Sequence, residues 1–135
     1  MKDSGFIDTN IWVYAHLDVD DNKCTTALKL LETLPILVVS TQVLNEYYSV
    51  MLKKKVADTL IQDNIEVMIN ISEIQLIQIM TLRLAHKIKL QYGFSYWDSL
   101  IVASALEADC TVLYSEDMQH KQIIENSLTV INPFK

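Results

Sequence analysis

Glycine is scarce in this chain of 135 residues: only Gly5 and Gly93 occur. That excludes glycine-rich phosphate loops, Walker-type motifs and dinucleotide fingerprints, which place several glycines in one short run. Proline is equally rare, with Pro35 and Pro133 alone. Cysteine appears twice, as Cys24 and Cys110, far apart and without C-x-x-C or zinc-ligand spacing, so two reduced, buried thiols in a reducing compartment are expected. No apolar run reaches the roughly 18 residues of a membrane span, and the first residues lack the pattern of a secretory signal. A soluble, cytoplasmic protein without a membrane partner is the expectation. Basic residues are few as well: 11 against 17 acidic ones give a net charge of −6, which argues against general attraction to nucleic acid or anionic lipid.

Half of the residues are apolar and 21% are charged, a composition that folds rather than staying disordered. At roughly 100–200 residues per domain, the length predicts one domain over residues 1–135. Phe6-Ile7 reads as a short strand that stops at Asp8 and turns directly into a short helix from Thr9 to Tyr14. Ala27, Leu28, Leu30, Leu31 and Leu34 recur at helical spacing between about Asn22 and Leu34, and Pro35 closes that segment. Ile36 to Val39 is an apolar run of strand length. Ser40 or Thr41 can cap a helix to about Lys54, and Asp58 can start another to about Asn70. A brief strand is expected near Ile74-Gln75-Leu76, then helices from about Ile79 to Leu90 and from Ser95 to about Ala108, broken at Gly93. Thr111 to Tyr114 and Leu128 to Ile131 read as the last strands, with loop and a short helix between them. Short strands that are apolar on both faces and alternate with helices predict a three-layer α/β/α sandwich around a mainly parallel sheet.

In such sheets, sites form beyond the carboxyl ends of the strands. Asp8 ends the first strand, where it is also an N-cap candidate beside Thr9 and Asn10. Glu46 has Val43 at i−3 and Val50 at i+4, so it flanks the apolar face of its helix, either snorkelling to solvent or serving a site. Asp98 shares a face with Ile101, Val102 and Ala105, although Ser95-x-x-Asp98 is also a capping-box pattern. Asp117 follows the fourth strand closely, as a loop acid, a cap or a site residue, with Glu116 beside it.

Four carboxylates gathered at one sheet edge repel, raise one another's pKa, and are tolerated chiefly where cations neutralise them. An oxygen-only set suits Mg²⁺ or Mn²⁺ better than zinc, and His16, His86 and His120 show no ligand spacing. Cations held by a few acids in an open cleft activate water against a phosphodiester and stabilise the leaving oxygen.

Four segments, Phe6-Ile7-Asp8-Thr9-Asn10-Ile11, Asn45-Glu46, Tyr96-Trp97-Asp98-Ser99-Leu100-Ile101-Val102-Ala103 and Leu113-Tyr114-Ser115-Glu116-Asp117-Met118-Gln119-His120, carry a resemblance. In order and spacing, with intervals of 38, 52 and 19 residues between the acids, they resemble the PIN domain family, particularly its VapC-like ribonuclease toxins. The resemblance implies a five-stranded, mainly parallel sheet sandwiched by helices. It implies a metal and catalytic quartet of Asp8, Glu46, Asp98 and Asp117. Asp8 and Asp98 would be the principal ligands of Mg²⁺ or Mn²⁺, Glu46 would hold the metal or orient the attacking water, and Asp117 would complete the pocket. Thr9 and Ser115 would support them through hydroxyl hydrogen bonds. The implied activity is metal-assisted hydrolysis of single-stranded RNA that leaves 5′-phosphate and 3′-hydroxyl ends, in the toxin of a type II toxin–antitoxin pair, with a cognate antitoxin and a homodimer as partners. One departure is Lys121, where relatives with Asp-Met-Gln-His often continue with Gly; a small change of turn is expected.

Lys53, in the run Lys53-Lys54-Lys55, lies on the Glu46 side of its helix and is the first candidate for an RNA phosphate. Arg83 and Lys87 form a second candidate pair on one helix face, although a solvated face is the plainer reading for both clusters. Tyr92, Tyr96 and Trp97 near the third acid offer rings for base stacking, or for core or dimer packing. A catalytically silent PIN-fold module binding RNA or protein is the alternative function. A haloacid-dehalogenase-like phosphatase is disfavoured, because Asn10 stands where its motif needs a second Asp. A receiver domain is disfavoured for want of an acidic pair near the first strand's end. With the quartet set aside, 13 acidic residues face 11 basic ones, so an acidic balance is compatible with an RNA substrate and predicts that metal must precede phosphate.

Overall fold

The switch from apolar Phe6-Ile7 to polar Asp8-Thr9-Asn10 ends strand β1 (Ser4–Ile7) and opens helix α1 (Thr9–His16). The structure is a computed structural model describing residues 4–17 and 21–135. Helix α2 (Asp21–Thr33) stops ahead of Pro35, whose ring disfavours helical backbone at the preceding residue. Strand β2 (Ile36–Ser40) then delivers Ser40 as the cap of α3 (Thr41–Lys53), its hydroxyl accepting the Val43 N–H at 3.3 Å. Helix α4 (Asp58–Ile71) runs straight into β3 (Ser72–Gln75), which begins two residues ahead of the predicted strand. Helix α5 (Ile79–Tyr92) ends at Gly93, whose left-handed φ of +75° costs a glycine little and lets its N–H reach Lys89 O at 2.9 Å. Ser95 caps α6 (Tyr96–Glu107) by accepting the Asp98 N–H at 3.1 Å. Strands β4 (Val112–Tyr114), β5 (Ile123–Ile124) and β6 (Leu128–Ile131) complete the order.

The sheet order is β3-β2-β1-β4-β6-β5, with every pairing parallel except β5 against β6. The α/β architecture is the predicted one, but the strand number is six rather than five. The expected short helix between β4 and the last strand is absent. That segment makes turns and the two-residue β5, because Glu125 and Asn126 take left-handed backbone (φ 51° and 56°) and reverse the chain into β6. Lys121 is also left-handed, at φ 70°, and its N–H reaches Val130 O at 2.7 Å. The lysine therefore occupies a conformation that favours glycine.

Central strands β1 and β2 are buried on both faces, whereas edge strand β3 is only half-buried, so helices must cover both sides of the sheet. Gly5 is required in β1, since a Cβ there would stand 2.7 Å from Tyr114 Cε2. The main core joins Phe6, Ile7, Trp12, Tyr47, Ile61, Met68 and Leu113, and a smaller cluster of Ala85, Leu100 and Ala103 ties α5 to α6. Each large side chain withdrawn from water contributes about 1.5–3 kcal/mol. Both cysteines are free thiols, Cys110 buried and Cys24 only half-buried. Among the described residues, no helix is long and apolar enough to cross a membrane.

This topology positions the site. The chain builds outward from β1 through β2 to β3, then returns to lay β4 on the other side of β1. The crevice beyond the carboxyl ends of β1 and β4 is thus the switch point at which open α/β sheets bind ligands.

Candidate active site

Asp8 leaves β1 at that switch point. Its backbone is extended (φ −71°, ψ 161°), its Oδ1 accepts the Thr9 N–H at 2.7 Å, and so it does cap α1. The cap uses one oxygen; Oδ2 accepts the Ser115 hydroxyl from the end of β4 at 2.8 Å. Only 5% of Asp8 is exposed. Its carboxyl is pushed up to about 7, chiefly by burial, against the downward pull of the bonds from Ser115 and Thr9 and with a smaller upward push from the charges of Glu46 and Asp117. The Ser115 oxygen also accepts the Asp117 N–H at 3.2 Å, so one hydroxyl joins two of the acids.

Helix α3 carries Glu46 to the same place. Its Oε1 accepts the Thr9 hydroxyl at 2.7 Å and its Oε2 accepts the Gln42 amide at 3.1 Å, one helical turn earlier. Asp98 sits in the first turn of α6, half-buried; burial and then the charge of Asp117 raise its pKa, and a hydrogen bond with Ser95 lowers it. Asp117 is exposed, and its Oδ2 accepts the Asn10 amide at 2.9 Å.

Asp8, Glu46, Asp98 and Asp117 all line one open cleft of about 460 Å³, together with Thr9, Asn10, Tyr14, Ser49, Lys53 and Lys54. Lys53 is therefore where the helix spacing predicted it. Arg83 and Lys87 share α5 as predicted, exposed and away from the cleft lining. Spacing along a helix shows which residues share a face, but not which face meets the cleft. Two contributors were missed by sequence reasoning. Asn10 holds Asp117 through its amide while its oxygen accepts the Glu116 N–H at 3.4 Å. Gln42 steadies Glu46 and also donates to Trp97 O at 3.2 Å. The signals were present: Asn10 two residues after the strand-end acid, and Gln42 four before Glu46.

Glu116 is outside the lining. It is ion-paired with Lys23 and accepts the Tyr14 hydroxyl at 2.6 Å, while Lys23 lies 4.8 Å from the Tyr14 ring centroid. The histidines are engaged elsewhere: His16 Nδ1 with the Tyr47 hydroxyl at 3.0 Å, His120 Nδ1 with the Asn132 N–H at 2.9 Å, and His86 against Tyr96.

The cleft's donor set is four carboxylates with Thr9 and Asn10 oxygens, and no cation among the described residues comes within ion-pair distance of any of the four acids. An all-oxygen, net negative set whose buried member is pushed up to about 7 fits a hard divalent cation, which would relieve the repulsion. The fit is incomplete as placed: among the described residues, no three His, Cys, Asp or Glu side chains converge tightly enough to form a ready-made cage. Asp8, Glu46 and Asp117 are instead turned onto the neutral donors Ser115, Thr9, Gln42 and Asn10.

Fold and cleft together define an α/β domain with an acidic site at the switch point of its sheet. The chain belongs to the PIN domain family, whose model matches residues 5–125. Solved structures share the fold. VapC20 of Mycobacterium tuberculosis, a sarcin–ricin loop cleaving toxin, superposes with a TM-score of 0.70 at 17% identity, over 84% of this chain and 89% of that one. A chain of a toxin–antitoxin complex from Klebsiella pneumoniae gives 0.70 at 18% identity, over 96% and 97%. A chain of VapBC2 from Rickettsia felis, solved on a promoter DNA fragment, gives 0.67 at 19% identity, over 96% and 99%. The sequence has no match among curated proteins.

Proposed function

We propose that this chain is a divalent-metal-dependent endoribonuclease that cleaves single-stranded RNA by attack of water on the phosphodiester, with residues 1–135 acting as one nuclease unit. The observation that carries this reading is the meeting of Asp8, Glu46, Asp98 and Asp117, from four separate segments, in one open cleft with two raised carboxyls. Membership of the PIN family supports it. Asp8 and Asp98 are assigned as the principal ligands of Mg²⁺ or Mn²⁺, with Glu46 and Asp117 completing the set. A divalent cation held there supplies activation of water and charge stabilisation at the leaving oxygen. Thr9 and Gln42 each hold one oxygen of Glu46, steadying the carboxylate that is assigned to orient the attacking water. Ser115 fixes Asp8, Asn10 fixes Asp117, and Lys53 and Lys54 on the rim meet the RNA phosphates.

The fold shared with VapC20 and with chains of toxin–antitoxin complexes supports a further reading. The chain is the toxin of such a pair, acting in the cytoplasm as a homodimer that a cognate antitoxin restrains. The test is cleavage of single-stranded RNA by the purified chain with Mg²⁺ or Mn²⁺. Cleavage lost with chelator, and lost in Asp8→Asn and Asp98→Asn while circular dichroism stays native, is the expected result. Parent-level cleavage in either variant sinks the assignment. The alternative is a silent PIN-fold binding module, and RNA binding without cleavage under any divalent ion would establish it.

A further inference from the structure

A second cavity of about 520 Å³ adjoins the acidic cleft and shares Glu46 with it. Its walls are the first turns of α3 (Thr41, Gln42, Asn45, Glu46), Ile77 ahead of α5, and Trp97 with Leu100 from α6. Three features give it a chemical character unlike that of the acid cleft. First, Trp97 is 61% exposed although it lies at the start of a well-buried helix; it stands at 75° to Tyr96 with ring centroids 5.1 Å apart, so a large indole is held in place without being used by the core. Second, the Asn45 carboxamide is exposed and has no hydrogen-bond partner among the described residues. Third, Gln42 is only 9% exposed, and its amide is committed to Glu46 and to Trp97 O while its Oε1 is buried without a partner. An unpaired buried carbonyl oxygen is costly, so a donor brought to this wall of the cavity would stabilise it.

We infer that this cavity is a nucleobase subsite, taking one unstacked base of the RNA strand whose neighbouring phosphate lies on the acids. The inference rests on the proposed ribonuclease reading and deepens it by naming where the strand's sequence is read. An exposed aromatic face beside a free carboxamide is the chemistry by which single-stranded bases are held: stacking supplies affinity, and edge hydrogen bonds supply choice. Trp97 is the platform and Asn45 the reader. The Gln42 bonds to Trp97 O and to Glu46 tie the platform to the acid cleft. Continuity through Glu46 puts the base next to the reacting phosphate rather than at a remote site.

The exposed Leu76, Ile79 and Met80, which flank the lining residue Ile77 in the chain, offer a competing occupant, a second copy of the chain, and the experiment separates the two. The full chain with Mg²⁺ is assayed on a short single-stranded RNA that it cuts, and on the same RNA with one abasic residue next to the cleaved bond. The expected result is a KM for the parent raised about tenfold or more by the abasic residue, the loss of one stacked base. Trp97→Leu is expected to show the same rise on intact RNA and no further rise on abasic RNA, while Asn45→Ala changes the ranking of A, C, G and U at that position. Equal cleavage of both RNAs by the parent overturns the subsite while leaving the nuclease reading intact. So does an equal slowing of both RNAs by Trp97→Leu, or sedimentation showing that Trp97→Leu breaks a dimer. If the parent cuts no RNA at all, the nuclease reading fails, and fluorescence then decides the subsite. Trp12 is 1% exposed, so quenching by the intact but not the abasic RNA reports stacking on Trp97, and its lack overturns the inference.

Discussion

Glu116 and Asp117 are neighbours in the chain and opposites in their surroundings. Glu116 turns to one side of the loop after β4, where Lys23 neutralises it and the Tyr14 hydroxyl donates to it. Asp117 turns to the other side, where it meets three more acids, and its side chain accepts from the neutral amide of Asn10. An acid whose counter-charge is built into the fold is doing structural work. Acids brought together without one keep unspent electrostatic energy, available to something that arrives from solution.

The sharpest way to break this comparison is to neutralise one acid on each side. Asp8→Asn keeps a good N-cap and loses a charge; RNA cleavage is expected to fall by far more than the roughly 10–100-fold that loss of a supporting bond costs at a metal site. Glu116→Gln is expected to leave cleavage within a few-fold of the parent and to lower the Tm. Comparable loss of activity in both variants would erase the distinction.

The second prediction concerns stability and pH. Asp8 stands at about 7 in the folded chain against 3.8 for a free carboxyl. Between those values the folded chain holds a proton that the unfolded chain has released. Metal-free protein therefore loses stability as pH rises from about 4 to 7, by on the order of 4 kcal/mol, and regains none of it above 7. Thermal melts in chelator should show a higher Tm at pH 5 than at pH 8, with most of that slope gone in Asp8→Asn. Added Mg²⁺ should raise the Tm at pH 8.

A smaller effect is expected where the acid cleft depends on a neutral donor. Ser115→Ala removes the bond that lowers the Asp8 pKa and also releases the Asp117 N–H. Cleavage at fixed Mg²⁺ should drop about 10–100-fold, and the acid limb of the pH–rate profile should move upward. An unmoved limb with lowered activity would mean that Ser115 acts only as packing. Smallest of all is Lys121→Gly. It relieves a left-handed lysine at φ 70° but adds freedom to the unfolded chain, so chemical denaturation should place it within about 1 kcal/mol of the parent.

The elements legible in the sequence were those with local punctuation: Pro35, Ser40, Gly93 and Ser95 each mark a helix end through a backbone or capping requirement of their own. Strand β5 had no such signal, since two residues carry no periodicity and its pairing with β6 depends on left-handed Glu125 and Asn126. The four acids were legible because a carboxylate at a strand end or on the flank of an apolar helix face is conspicuous. Their hydrogen-bond donors were not. Asn10 and Gln42 look like ordinary helix-surface amides until α1, α3 and the loop after β4 are assembled around them. Basic residues were the least legible, because an exposed cation such as Arg83 reads alike on any face of any helix.

The strand order has a consequence for when the acid cleft is assembled. Strand β1 pairs with β2 on one side early in the chain, but its other neighbour is β4, whose partner β6 ends at Ile131. Asp117 reaches Asn10 only across 107 residues, and Ser115 reaches Asp8 across the same span. Contacts of such long sequence separation form late in folding. During synthesis Asp8 and Glu46 can meet through β1, β2 and α3, but the Ser115 hydroxyl and Asp117 join them only after β4 has been made. On the ribonuclease reading proposed above, the acid cleft is assembled only once the loop after β4 has met α1, so a restraining partner is needed from that point and not before.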